Sequence, residues 1–554
     1  MLRELAFALG FATTVTGATS IVSTLGADRT AFLVAAPDRG FTGNEEIRDV
    51  FEEFAAREIA ELVFVTDERT RDNVAAALDR LKARGATRVV VLPFFLSAAE
   101  ARFARLEAAV REVSGAPPLI WGRIFGASHF AVEALADRMQ RIGTVADTHV
   151  VVAGFAERAA TGRVALEADL AKLARHAASG RPFASVRALV WSGGADDSNA
   201  LEELHALAAR KGRVVVVPFH LGPKLDGMMA FNMALRRSLP EGVVMVDADL
   251  TPDPLVTFWL RREATRHTKL TPAEIGVVVH AHGSDFHWNE TMRQAAAPLA
   301  AEHPVEYAFS MGDPLTLERA LRRLEARGAK AAVIVRVFAL EDSFRTGIER
   351  FLGLDVEYGH GPSAGERHGH HGHDAPVGPR LRSPLAVTTV GGLEDDPRFA
   401  QVLLERARSL SLEPARETVI LVAHGSGDDD VNARWLTLLE SLRSQMLAAG
   451  GDTFRAIRVA TWREDWEEKR APWIERVRAM IEEARRDGGR AIVIPARTLG
   501  TGPERRFLSG LDYALGEGFA PHPLFVEWLQ VQVEHGIAQL TGHGTLAPDP
   551  SPVE

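Results

Sequence analysis

The chain has 554 residues, 46% of them hydrophobic and 25% charged, which is enough apolar content for several cores and about three or four domains. A formal net charge of -10 and a pI near 6.1 argue against a nucleic-acid partner, which would ask for a basic face. There is no cysteine, so disulfides, thiolate zinc sites, iron–sulfur clusters and cysteine nucleophiles are excluded, and any metal must sit on His, Asp, Glu or Asn, with 19 histidines available.

In chain order, the first element is a stretch without charge from Leu5 to Ala27, with small residues at Gly26 and Ala27. Its length suits an export signal, whereas the leading Met-Leu-Arg-Glu lacks a positive excess and Thr and Ser are frequent. Both a cytoplasmic and an exported, periplasmic chain fit this segment. Elsewhere no apolar run nears spanning length, and no membrane span is expected.

A repeat then organises the chain. LKARGATRVVVLPFFLS begins at Leu81, LAARKGRVVVVPFHLG at Leu207, LEARGAKAAVIVRVFAL at Leu324 and EARRDGGRAIVIPARTLG at Glu483. Each is a basic helix end, a Gly and a β-branched run, the form of a strand buried on both faces of a parallel sheet. Each unit opens with another apolar strand: TAFLVAAPD at Thr30, HVVVAGFAE at His149, EIGVVVHAHGSDFHWNE at Glu274 and ETVILVAHGSGDDDVN at Glu417. Strand and helix in alternation predict α/β architecture with right-handed crossovers. The units are expected at residues 28–145, 146–266, 272–412 and 415–542. A Gly-, Pro- and His-rich stretch from Gly359 to Pro384 interrupts unit 3 as a loop unable to bury a core, and residues 543–554 form a frayed tail.

Two openings carry chemistry. Ligands of open parallel sheets bind beyond the carboxyl ends of the strands, where His282 and His424 fall. Gly283 and Gly425 allow a sharp turn there, and Ser284 and Ser426 can cap the next helix. A neutral imidazole at such an edge ligates Co²⁺, Ni²⁺, Fe²⁺ or Zn²⁺, or accepts a proton. One such His would be read as bonded to a loop carbonyl; the same His-Gly-Ser-acid-Asn arrangement in two repeats favours function.

These segments resemble the class II chelatases, the sirohydrochlorin cobalto- and ferrochelatases of tetrapyrrole biosynthesis. The resemblance rests on strands ending in Ala-His-Gly-Ser, on Asn289 and Asn432 at the following helix starts, and on the RGAKAAVIV step. It implies four parallel-sheet chelatase-like units in two bilobal modules, and insertion of a divalent metal into a tetrapyrrole held between lobes, without a nucleotide. Metallation displaces two pyrrole protons, so it needs a ligand for the metal and a base, and His282 and His424 can serve as either. Asp285 and Glu290 in unit 3, and Asp428 and Asp429 in unit 4, could share that work, although acids at a helix start usually serve its dipole.

The pattern also departs from the family. Its second His falls on Ala101, Leu225, Phe344 and Gly502, and its first on Ala36 in unit 1 and Gly154 in unit 2, so the N-terminal pair is degenerate. His280, two residues before His282 on a strand, is expected to face the same way and join it on one ion; His220 and His287 are weaker candidates. The loop histidines His360, His368, His370, His371 and His373, interleaved with Gly, suit transient capture of Ni²⁺, Co²⁺, Cu²⁺ or Zn²⁺; His368, His370, His371 and His373 join His280, His282 and His424 as expected metal ligands. Trp462, Trp466 and Trp473 are read as core, with stacking on a macrocycle as the alternative. Neither a phosphate loop nor G-x-G-x-x-G, H-E-x-x-H or G-x-S-x-G occurs in context. The expected function is insertion of Co²⁺ or Fe²⁺ into a sirohydrochlorin-type ring; its rival is a non-catalytic metal carrier on the same fold. Internal pairing of repeats would allow a monomer.

Overall fold

The computed structural model describes residues 29–542 apart from 67–68, 144–145, 157–161, 193–196, 211, 222–234, 247–249, 251–252 and 361–377. The segment 1–27, the histidines His368, His370, His371 and His373, Leu225 and the tail 543–554 lie outside the described residues.

The β-branched runs form four parallel sheets of four strands. Unit 1 holds β1 (Thr30–Pro37), β2 (Ala60–Val65), β3 (Arg88–Pro93) and β4 (Leu119–Trp121). Unit 2 holds β5 (Thr148–Phe155), β6 (Ser185–Trp191), β7 (Arg213–Pro218) and β8 (Val244–Met245). Unit 3 holds β9 (Ile275–Ala281), β10 (Val305–Phe309), β11 (Ala331–Val337) and β12 (Ala386–Gly391). Unit 4 holds β13 (Glu417–Ala423), β14 (Ala456–Thr461), β15 (Arg490–Pro495) and β16 (Ala514–Leu515). In every sheet the first strand lies between the second and the third, and the fourth pairs outside the third.

Alternate residues of each first strand enter different cores. Val277 and Val279 face a core shared with unit 4, through Val419 and Leu421, while Val278 faces a core confined to unit 3. Units 1 and 2 share a core in the same way, with Phe32 and Val34 meeting Val150 and Val152. These shared cores are closed by an exchange of helices. The helix His129–Gln140, which follows β4, packs on Arg163–Ala178 of unit 2, and Pro254–Arg266, which follows β8, packs back on Gly40–Ala55 and β3 of unit 1. In the C-terminal pair, Pro397–Leu410 packs on Asp429–Ala448 and β15, and Pro523–Gly542 returns to β11 and β12. The return is close: a Cβ at Gly536 would stand 2.3 Å from Val333. Two bilobal modules result, neither lobe of which buries its sheet alone. No described helix is long and apolar enough to cross a membrane.

The modules are joined through the stretch expected to be a loop. Its C-terminal end is buried: Arg380 is 3% exposed, Leu381 2% and Ser383 3%. The reason is paired charge. Arg380 bonds Asp355 (2.9 Å) and lies 3.6 Å from Glu133 in unit 1, and Arg382 bonds Asp137 (2.9 Å). Beside them Glu357 receives Arg123 (3.1 Å), Arg262 (3.6 Å) and Arg266, and His129 reaches the Leu381 carbonyl (3.0 Å). Burial of so many charges is tolerated because each has opposite charge or a carbonyl against it.

Candidate metal centre

The two His-Gly-Ser turns are built alike. Gly283 and Gly425 adopt φ of 77° and 76°, a left-handed conformation that a Cβ disfavours. Space forbids one as well: it would stand 2.7 Å from the Phe309 Cβ in unit 3 and 2.7 Å from the Asn432 Oδ1 in unit 4. The Asn side chain then pins the turn. Asn289 accepts from the Ser284 N–H at 3.0 Å, and Asn432 from the Ser426 N–H at 3.2 Å and the Thr461 hydroxyl at 3.0 Å. Asn44 in unit 1 does likewise for the Arg39 N–H at 2.8 Å. Asn432→Ala would leave that N–H and hydroxyl without an acceptor; an expected loss of about 1–3 kcal/mol can be read from urea unfolding.

Each turn sets one face of its imidazole. The Nδ1 of His282 lies 2.6 Å from the Gly283 carbonyl, and that of His424 lies 2.9 Å from the Gly425 carbonyl. A carbonyl only accepts, so Nδ1 carries the hydrogen in both rings, which leaves the Nε2 lone pair of His282 for a metal or a proton. His282 is exposed at its edge. The Nε2 of His424 lies 3.0 Å from the Asp465 carboxylate, and the Trp466 ring stands edge-on to the imidazole at 6.0 Å. Burial pushes the His424 pKa down, but the hydrogen bond with Asp465, the charge of Glu464 and the Gly425 carbonyl together outweigh it and hold the pKa above its ordinary 6.5. A divalent ion entering here would take the place of the proton between imidazole and carboxylate.

The other expected residues divide. His280 is fully buried; its Nε2 contacts the Ser310 carbonyl (3.0 Å), its ring packs on Phe338 (5.1 Å), and burial lowers its pKa to about 4. β9 ends at Ala281, so the strand alternation that was to align His280 with His282 stops between them, and one ring lies in the core while the other lies outside. The expectation of a His280–His282 pair is corrected accordingly. Register explains the burial: His280 pairs Arg336 as Ala35 pairs Pro93, Ala153 pairs Pro218 and Val422 pairs Pro495, and those three equivalents are apolar. His280→Val should therefore leave metal uptake unchanged in a Co²⁺ titration, with stability within about 1 kcal/mol of wild type; lost uptake would return His280 to the ligand set.

The same register moves two other assignments by one residue. Pro37 and Phe155, not Ala36 and Gly154, stand where His282 and His424 do, one residue beyond Ala36, Gly154, Ala281 and Ala423. The acids serve as helix caps or in ion pairs. Asp285 accepts from the Trp288 N–H (2.9 Å), Asp428 from the Asp430 and Val431 N–H groups (both 3.0 Å), Glu290 pairs Arg293 (2.9 Å), and Asp429 pairs Arg463 and Lys469 (3.1 Å). His287 is exposed, its ring edge-on to Phe286. His220 is buried near Phe155 in unit 2, and His360 faces Tyr358. Among the described residues no group of three His, Asp or Glu could hold a metal, so His424 and Asp465 form a two-ligand site at most. Trp462 is core, donating to Glu504 at 3.0 Å; it and Trp466 do not share a helix, since β14 ends at Thr461 and the next helix starts at Glu467. Asp465 comes from a separate loop with no recurring spacing to announce it.

Side-chain bonds tie the carboxyl-end side of unit 4 to that of unit 3. Arg434, on the helix that follows the His424 turn, bonds Asp342 (2.6 Å) and Glu394 (2.8 Å), which lie just past the carboxyl ends of β11 and β12. The N-terminal module displays the same convergence, because Pro37 and Phe155 line a single cleft. Around His282 the wall is apolar and open, with Phe286 71%, Met311 46% and Leu315 73% exposed. Around His424 it is charged.

The CbiX family profile matches residues 39–142, within unit 1. Among solved structures, the chain is similar to the sirohydrochlorin chelatase SirB from Bacillus subtilis subspecies spizizenii in complex with cobalt (16% identity, 43% of this chain and 94% of that chain, TM-score 0.33). It is also similar to SirB from Bacillus subtilis with Fe³⁺ (17%, 43% and 94%, 0.34). A third is DR2241 from Deinococcus radiodurans, a multi-domain protein described as structurally similar to chelatases (19%, 48% and 55%, 0.31). No curated protein matches. Residues 39–142 are thus similar to the CbiX family, and the same strand order in all four sheets and the Asn-pinned turn of units 1, 3 and 4 repeat one architecture along the chain.

Proposed function

We propose that the C-terminal module inserts a divalent metal, Co²⁺ or Fe²⁺, into a sirohydrochlorin-type tetrapyrrole held between units 3 and 4. The observation that carries this reading is the imidazole turn built twice, with Nδ1 committed to the next carbonyl in each and, in unit 4, Nε2 set against the Asp465 carboxylate. The metal is a substrate. His424 and Asp465 receive it, and the lack of a third ligand among the described residues leaves most of its coordination sphere to water and then to the ring nitrogens. A site that caged the ion would hold it against transfer. Metallation displaces two pyrrole N–H protons, and the exposed imidazole of His282, which holds no metal in this reading, is a base able to accept one from the ring and pass it to water. The exposed Phe286, Met311 and Leu315 suit the apolar face of the ring.

The test is to mix the protein with metal-free sirohydrochlorin and Co²⁺ or Fe²⁺ and follow the absorbance change of metallation. Acceleration over the protein-free reaction supports insertion. Metal bound with no acceleration would make the protein a carrier.

A further inference from the structure

The loop between β14 and the helix Glu467–Ala484 brings Asp465 to the His424 imidazole, and one of its residues departs from ordinary backbone. Arg463 adopts φ of 51°, a left-handed conformation that a residue with a Cβ rarely takes. Its side chain shows what holds it there. The guanidinium is buried and turns back onto the His424 turn. Its Nε donates to the Ser426 carbonyl at 2.6 Å, and its Nη2 donates to the Gly427 carbonyl at 2.9 Å and to the Asp429 carboxylate. The backbone adds a second tie, since the Glu464 N–H donates to the His424 carbonyl at 3.2 Å. The Trp466 N–H in turn donates to the Arg463 carbonyl at 3.1 Å and closes the loop around Asp465. The loop that carries the carboxylate is thus fastened to the turn that carries the imidazole by a planar fork set against two successive carbonyls.

Unit 3 has the same turn without the clamp. Phe309 pairs Ala281 as Thr461 pairs Ala423, so Met311 stands where Arg463 does. Met311 is exposed and has no donor to offer the turn. Asp313, in the loop after β10, caps the helix Pro314–Ala326 through the Leu315 and Thr316 N–H groups (3.2 and 3.3 Å). Among the described residues no carboxylate bonds His282.

We infer that Arg463 is a positioning residue: its clamp on the His424 turn aims the Asp465 carboxylate at the His424 Nε2 and makes unit 4, rather than unit 3, the lobe that takes the metal. The inference rests on the proposed metal role of His424 and Asp465.

The experiment is a double-mutant cycle of Arg463→Met with Asp465→Asn in the full chain. It is read as Co²⁺ affinity by calorimetric titration without tetrapyrrole, beside urea unfolding and the sirohydrochlorin metallation assay. Cobalt held elsewhere on the chain is common to all four proteins and cancels. Each single variant is expected to weaken Co²⁺ binding by about 10–100-fold, the usual worth of a group that orients a metal ligand. The double variant should lose no more than Asp465→Asn alone, because the arginine acts through the carboxylate. Arg463→Lys keeps the charge against Asp429 but not the fork; it should weaken binding less, and it carries the cycle if Arg463→Met does not fold. Wild-type affinity in either folded single variant, or losses that multiply in the double variant, would overturn the inference, since a merely structural arginine lowers the urea midpoint without coupling to Asp465. Coupled losses of affinity in a protein that does not speed metallation would sink the proposed function and leave the positioning role standing; metallation by wild type with uncoupled losses would do the reverse.

Discussion

Glu357→Ala is expected to destabilise the chain by about 3–5 kcal/mol, read as a shift of the urea midpoint. Glu357 is buried at the seam between the modules and takes Arg266, Arg262 and Arg123 together. Burial pushes its pKa up, but Arg266, the His129 hydrogen bond, Arg262 and Arg123 outweigh this and hold it well below the ordinary 4.5. Removing the carboxylate leaves Arg262, almost wholly buried, without its ion-pair partner, while Arg266 keeps Glu263. The same seam gives a pH dependence. His129 has its pKa pushed down to about 4, first by burial and then by the charge of Arg262, against 6.5 when unfolded. Below pH 6.5 the unfolded chain takes up a proton that the folded chain refuses, so stability is whole above 6.5 and falls as the pH drops toward 4. The loss approaches about 3 kcal/mol, since each tenfold difference in proton affinity between the two states is worth about 1.4 kcal/mol. Glu357 acts lower: its contribution is present above the unfolded 4.5 and is lost only as the pH falls through its depressed folded value. Comparing wild type with His129→Gln by unfolding at pH 7.5 and pH 5 isolates the share of His129, since His176 and His280 are depressed likewise and titrate over the same interval, whereas Glu357 does not.

His424→Ala should lower kcat/KM for metal insertion by about 10²–10⁴-fold, the usual worth of a positioned acid–base group, while leaving the fold in place. The ring is partly exposed at a strand end, so its loss opens no core cavity. Asp465→Asn keeps the shape and removes the charge, and its effect should fall mainly on KM for the metal. If His424 served only to hold its loop, the two variants would change stability and leave the metal dependence alone.

How much of this could be read from residues alone differs by element. The strands were legible because runs such as RAIVIP are short, β-branched and entered from a Gly, which only a doubly covered parallel strand satisfies. The two His-Gly-Ser turns were legible because Gly and Asn recur at fixed distance and each has one geometric task. The exchange of helices was not, since an amphipathic helix such as Pro397–Leu410 shows the same stripe whichever lobe it covers. In units 1 and 2 the position equivalent to the turn histidines lies one residue beyond Ala36 and Gly154, because a strand end without its His offers no residue to count from; the pairing of Ala35 with Pro93 and of Ala153 with Pro218 decides it. The C-terminal end of the Gly-, Pro- and His-rich stretch has the composition of a solvated loop, and its burial depends on Glu133, Asp137 and Arg262, far away in sequence. Asp465 depends on a third loop for the same reason.

The most direct test is X-ray absorption of Co²⁺ bound to protein lacking residues 361–377, so that the insertion's histidines cannot contribute. With His282 and His424 in place, imidazole nitrogen should appear in the cobalt shell, and in the His282→Ala, His424→Ala double variant it should vanish while the fold persists. An unchanged imidazole shell in the double variant would mean that the ion sits elsewhere and that the paired turns are not the metal centre.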